Sequence, residues 1–225
     1  MRALSALAFV ALAALPLQAQ TVAIGGLRAT GVDAMGNRLA SGAVDPNWRI
    51  VTPNGTSNAV VVNALDASNP CRLASTWVAA TAPSCWIWGN ANGTPTNTTL
   101  TFRTTFDLTG LVASSATIAG KWAADNQGLR ILLNGVELPG LSTGTTGEAF
   151  RTLYDFSIAA GNPNFVSGLN TLDFVVRDNG VVGGFLVTQI AGTATVVPEP
   201  STYALMATGL VGLGLAARRR RSASR

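Results

Sequence analysis

At 225 residues the chain is long enough for one good-sized domain or two small ones, and only 12% of it is charged. The formal net charge of +4 belongs to the two ends: between Gln20 and Thr195, nine Lys/Arg stand against ten Asp/Glu. A body that is slightly acidic offers no basic stripe to phosphates, which argues against nucleic acid as a partner, and the absence of any histidine removes the Ser-His-Asp relay.

The chain opens MRALSALAFVALAALPLQAQ. Arg2 gives a basic start, Ala3 to Leu15 an apolar run, Pro16 a helix break, and Ala19 a small residue where signal peptidase requires one. The apolar run is short of the roughly 20 residues of a membrane span, so residues 1–19 are expected to be a helical secretory signal peptide cut after Ala19. An uncleaved anchor is the alternative. Residues from about 21 to 95 are irregular in pattern and are expected to supply early strands and long loops. Within them lie Cys71 and Cys85, the two cysteines of the chain. Export makes a disulfide between them the default, worth up to about 3 kcal/mol by loop closure. Two unpaired buried thiols are the other reading.

Between the two ends the pattern is strand and turn: Ala59 to Val62 is a short β-branched run, and the series is densest from Thr98 onward. In TTLTFRTTFDL, Leu100, Phe102, Thr104 and Phe106 point one way while Thr101, Arg103, Thr105 and Asp107 point the other. Ala116 to Trp122 reads as a further strand. Leu129 to Leu133 meets Asn134-Gly135, a strong hairpin signal, and resumes at Val136-Glu137-Leu138. Tyr154 to Ile158, Thr171 to Val176 and Phe185 to Ile190 complete the series. No stretch of helical period reaches ten residues outside the ends. The prediction is an all-β fold, an antiparallel jelly-roll-like β-sandwich over residues 20–195.

The tail, residues 196–225, has three parts. Pro198-Glu199-Pro200 comes first, and prolines should keep that stretch extended and outside any helix. Thr202 to Ala217 follows, sixteen uncharged residues that would make about 24 Å of transmembrane helix, extended by snorkelling at its flanks. Arg218, Arg219, Arg220 and Arg221 then form a stop-transfer cluster, held in the cytoplasm by the positive-inside rule. A buried core helix, the alternative, would not end in four arginines.

Two resemblances attach to these residues. FRTTFDLTGL, ATIAGKWAADNQGLRILLNGVEL, GLNTLDFVVRDN and GGFLVTQIAGTA, with VDPNWRIV and the segment around Trp77 and Trp86, resemble the galactose-binding-like jelly-roll domains of exported bacterial proteins over Val44 to Ala194. The PEP triplet, apolar helix and arginine cluster, together with a signal peptide, resemble the PEP-CTERM sorting signal. That resemblance implies an exosortase acting near Pro198-Glu199-Pro200 and a transient hold in the inner membrane, with the body on the periplasmic side. It also implies delivery to the cell surface or to the exopolysaccharide of a biofilm or floc matrix.

Candidate chemistry in the body is sparse. Trp86, Trp88 and Trp122, with Asp125, Asn126 and Arg130, are the residue types that stack on and hydrogen-bond a sugar, although the tryptophans serve equally as core. Asp125-Asn126 and Asp178-Asn179 are oxygen-rich, so Asp125 and Asp178 are candidate Ca²⁺ ligands; Asp and Asn also favour turns for their own sake. Paired carboxylates can hydrolyse glycosides, but no spacing in the sequence pairs any two. The expectation is a non-enzymatic exported protein of the surface or matrix, without a cofactor. A lectin-like carbohydrate-binding module is the alternative, and a secreted glycoside hydrolase ranks third.

Overall fold

The computed structural model describes residues 20–65, 71–198 and 200–222, leaving the side chains of 200–205 aside. The expected signal peptide and its helix, residues 1–19, lie outside the described residues, as does Glu199.

Among the described residues eleven strands form one antiparallel sheet: β1 (Thr21–Ala23), β2 (Val44–Thr52), β3 (Gly55–Val61), β4 (Ile87–Trp88), β5 (Thr99–Asp107), β6 (Leu111–Asp125), β7 (Gln127–Leu133), β8 (Val136–Leu138), β9 (Tyr154–Ile158), β10 (Leu169–Arg177) and β11 (Gly184–Val196). Their order is β8-β7-β10-β5-β2-β3-β4-β11-β6-β9, with β1 added to β11. The sheet curls until its halves face each other. Phe174 of β10 thus lies 5.3 Å from Phe185 of β11, 5.2 Å from Trp122 of β6 and 5.3 Å from Phe156 of β9, ring centre to ring centre.

Alternation explains the later strands. On β5, Phe102, Thr104 and Phe106 are buried, while Thr105 and Asp107 are exposed, as period two requires. Strand β10 is buried on both faces, from Leu172 through Val176. Its one carboxylate there, Asp173, is kept by two parallel bonds of 2.7 Å from Arg103 on the neighbouring β5. The hairpin β7–β8 turns on Asn134 and Gly135, both left-handed at φ 51° and 80°, as a type I′ turn demands. The Asn134 side chain also ties the turn to β10: its Oδ1 accepts from Thr171 N, and its Nδ2 donates to Asn170 Oδ1.

The front of the chain is built differently. Its strands are short or bulged, and tryptophans fill the space they leave. Trp48, Trp77, Trp86 and Trp88 are essentially without exposure, and each indole N–H finds an acceptor: Arg28 O, Asp125 Oδ2, Val78 O and Pro95 O respectively. Glycine admits two of these rings. A Cβ on Gly184 would lie 2.3 Å from the Trp77 ring, and one on Gly183 2.2 Å from the Trp88 ring. Cys71 and Cys85 are joined as a disulfide. Val197 N donates to Gly110 O, and Val196 N to Gln20 O, so both ends of the body leave it side by side.

Helix α1 (Pro200–Ser222) follows. It begins on the second proline of the triplet, which corrects the expectation that both prolines stand outside the helix. The first helical turn uses no N–H at Pro200, and its fixed φ suits that position. From Met206 onward the helix is exposed, Leu210, Val211, Leu213 and Leu215 included, so it is not a core helix. Among the described residues no helix is long and apolar enough to cross a membrane. The expected span Thr202–Ala217 begins in the part whose side chains are not described.

Candidate functional site

The residues singled out in the body fall into three places. Trp86, Trp88 and Trp122 are in the core at 0% exposure, which decides between the two readings for core residues and against sugar-stacking ones. The physical reason is the curl of the sheet: each ring points at the opposite layer, where Trp86 meets Trp77 at 4.4 Å, Trp88 meets Phe102 at 5.5 Å and Trp122 meets Phe174. Arg130 is elsewhere, on the outer face of β7, half exposed and 4.0 Å from Glu137 of β8.

Asp125, Asn126, Asp178 and Asn179 do come together, because β10 pairs with β7 and sets Arg177 opposite Gln127. Asn126 braces this rim with every polar group it has. Its N–H donates to Arg177 O at 2.7 Å and its O accepts from Ala149 N; its Nδ2 donates to Gly147 O and its Oδ1 accepts from Asn179 N. Asp178 is wholly buried: Oδ2 accepts from Asn97 N at 2.6 Å, while Oδ1 has no partner. Asp125 accepts from Trp77 Nε1 at 2.7 Å. Burial, reinforced by the nearby Asp178 charge and opposed by the Trp77 bond, pushes the Asp125 carboxyl up to about 7. Asp125 therefore favours holding a proton near neutrality.

A divalent ion fits this pair poorly. Ca²⁺ takes six to eight oxygens. The amide oxygens of Asn126 and Asn97 already accept from Asn179 N and from Arg177, and among the described residues no three His, Cys, Asp or Glu side chains gather to hold a metal. Nor does a glycan reach the two carboxylates, which are buried beneath Trp77 and the Asn97 turn.

A second acid, Asp45, escaped the sequence reading. It is buried, accepts from Gly31 N at 2.6 Å and Asn47 N at 2.8 Å, and is pushed up to about 6, chiefly by burial. Its work is structural: in the irregular start of β2 it holds the Asn47 amide and ties that stretch to the Gly31 backbone. Only its place ahead of Pro46-Asn47, a turn-forming sequence, hinted at this.

An all-β body whose last strand ends at Val196, followed by a proline-led helix and an arginine cluster, defines a carrier of a C-terminal sorting tail. Residues 196–221 match the PEP-CTERM protein-sorting motif. The motif marks the chain for export, with its C-terminal tail as membrane anchor, and for processing by an exosortase. No curated protein matches the chain. Among solved structures, a Stig cyclase from Fischerella sp. TAU is 12% identical with a TM-score of 0.45, covering 80% of this chain and 100% of that one. A cyclase from the same organism is also 12% identical with a TM-score of 0.42, at the same coverage. CBM35 from Paenibacillus barcinonensis is 18% identical with a TM-score of 0.29, covering 64% of this chain and 93% of that one. At such scores the fold class rests on the strand order itself.

Proposed function

We infer that the mature protein is a non-enzymatic component of the cell surface or extracellular matrix, a jelly-roll β-sandwich that associates with exopolysaccharide once the tail is removed. The sorting motif carries this reading, since it sets immediately beyond the last strand a sequence that has no part in the body. Val197 N still donates to Gly110 O of the body, and the triplet begins at Pro198. An exosortase cutting there would release the sandwich with all its strands. The absence of histidine and the burial of Asp125 and Asp178 favour binding over hydrolysis. No cofactor enters the reading.

The test begins in the producing cells. Replacing Pro198, Glu199 and Pro200 together by alanine is expected to leave full-length precursor in the inner membrane and to deplete the body from the matrix fraction. Mass spectrometry should place the wild-type C-terminus near the triplet, and a matrix-resident protein still ending at Arg225 would sink the sorting step. A lectin-like module is the second reading, and the exposed groove described next favours it.

A further inference from the structure

We propose that the outer face of β6, β9 and β11 carries a binding groove for a neutral pyranose unit of a polysaccharide, with Lys121, Asp155, Ser157 and Gln189 as its polar contacts. This deepens the reading above and rests on it.

The groove is open and has a volume of about 440 Å³. Two residues make it shallow and smooth: Ala119 of β6 and Ala191 of β11 leave room where longer side chains would stand. A β-bulge shapes one wall. Thr188 pairs with Lys121 and Ala191 with Ala119, so Gln189 and Ile190 together oppose Gly120. The bulge puts Gln189 in the left-handed region at φ 53°, an uncommon conformation for a residue with a side chain, and turns its amide outward to solvent. Gly120 lets the bulge close, since a Cβ there would lie 3.1 Å from Ile190 Cα and 2.8 Å from the Phe156 ring.

The other wall belongs to β9, last in the strand order, which sets Asp155 opposite Lys121 and Ser157 opposite Ala119. Lys121 Nζ and Asp155 Oδ1 are 2.5 Å apart, yet the Asp155 side chain is 80% exposed. An ion pair so wet contributes little to stability and leaves lone pairs and N–H groups facing the groove. Lys121 only donates, Asp155 only accepts, and Ser157 and Gln189 do both. That set suits adjacent sugar hydroxyls, which donate and accept in turn. The walls carry one positive and one negative charge, so nothing in them favours an anionic sugar, and a uronate would meet the exposed Asp155. No aromatic platform faces outward here, so single-unit affinity should be weak, with retention on a long chain gained by repetition.

Affinity electrophoresis of the processed protein, recovered from its producing cells, tests this. Native gels would contain dextran, galactomannan, alginate or the polysaccharide extracted from the cells' own matrix. Wild type should be retarded by a neutral glycan and not by alginate. Asp155→Ala should lose at least tenfold in affinity. So should Gln189→Gly, which keeps the left-handed backbone and removes the amide, with unchanged near-UV circular dichroism in both. Variants retarded like wild type by the matrix polysaccharide would overturn the groove and leave the matrix reading standing. Retardation by alginate alone would overturn the neutral-sugar assignment. No retardation in any gel would overturn the matrix reading and the groove with it.

Discussion

The two halves of the sandwich reach order by different routes. From Thr99 to Val196, long strands pair over five to ten residues with side chains alternating in and out, and the backbone ladder does most of the positioning. From Thr21 to Trp88, strands are brief or, like β2, irregular in register, and a few large side chains dock the chain onto its neighbours. Trp77 seats on Gly184 and Trp88 on Gly183, while Thr30 bridges the halves: its Oγ1 donates to Cys85 O at 2.7 Å and accepts from Val187 N at 3.1 Å. A regular half tolerates local change because its order is distributed. A docked half is sensitive at its few anchors.

The largest expected effect tests those anchors. In Gly184→Ala the new methyl would fall 2.3 Å from the Trp77 ring, with further ring atoms at 2.7 Å and 2.9 Å, and a buried indole has nowhere to move. Overpacking of a tight core costs about 1–3 kcal/mol and sometimes more, and losing the Trp77–Asp125 bond as well would bring the total to roughly 4 kcal/mol. Gly25→Ala is the comparison, because its Cβ would meet nothing within 4 Å. Denaturant midpoints should fall steeply for the first and scarcely for the second. Equal midpoints would mean that the front half is not held where its tryptophans touch β11.

This contrast also explains what could be read ahead of the structure. The ladder strands were legible because period-two alternation and the Asn134-Gly135 turn are local signals, and the observed β5, β7, β8, β9 and β10 start and end close to where the pattern put them. Of the front strands only the end of β3 was legible, in the β-branched run Ala59 to Val62, because β2 and β4 owe their place to rings and glycines distant in sequence. The site fared the same way. Asp125 and Asp178 stood out as oxygen-rich turns, yet their approach depends on the β7–β10 register, and the burial of Trp86, Trp88 and Trp122 on the curl. The groove was invisible, since Lys121, Asp155 and Gln189 are unremarkable until a bulge and an edge strand assemble them. The sorting motif of the tail was legible because the Pro198-Glu199-Pro200 triplet and the arginine cluster are linear signals, whereas the helix start at Pro200 came from the structure.

The disulfide gives the next effect in size and confines it to the docked half. Cys71 and Cys85 close a loop with a sequence separation of 14, and such a loop contributes about 3 kcal/mol through the unfolded chain. Cys71→Ser with Cys85→Ser should lower the thermal midpoint accordingly. Hydrogen exchange should quicken at the Trp86 amide, which donates to Cys71 O, well before the β5–β10 ladder responds. Uniform loosening of both halves would erase the distinction drawn between them.

The smallest effect is a pH dependence at the seam between the halves, where Trp77 of the docked part meets Asp125 of the ladder. The Asp125 carboxyl is raised from an ordinary 3.8 to about 7 in the folded protein, so between those values the native state holds a proton that the unfolded chain has released. Stability from this group is therefore complete below about pH 4 and is lost as pH rises through 7. The full shift would correspond to about 4 kcal/mol, and partial solvation reduces this to about 2 kcal/mol. Asp45, raised to about 6, has the same sign and leaves a residual slope that ends about one unit earlier. Asp125→Asn cannot ionise and keeps an oxygen for Trp77 Nε1. It should match wild type in urea melts at pH 3, exceed it at pH 8, and retain only the shallower fall below pH 6. An Asp125→Asn protein with the wild-type slope, or one weaker than wild type at pH 8, would show that Asp125 enters the fold already ionised and that Trp77 docks onto a carboxylate.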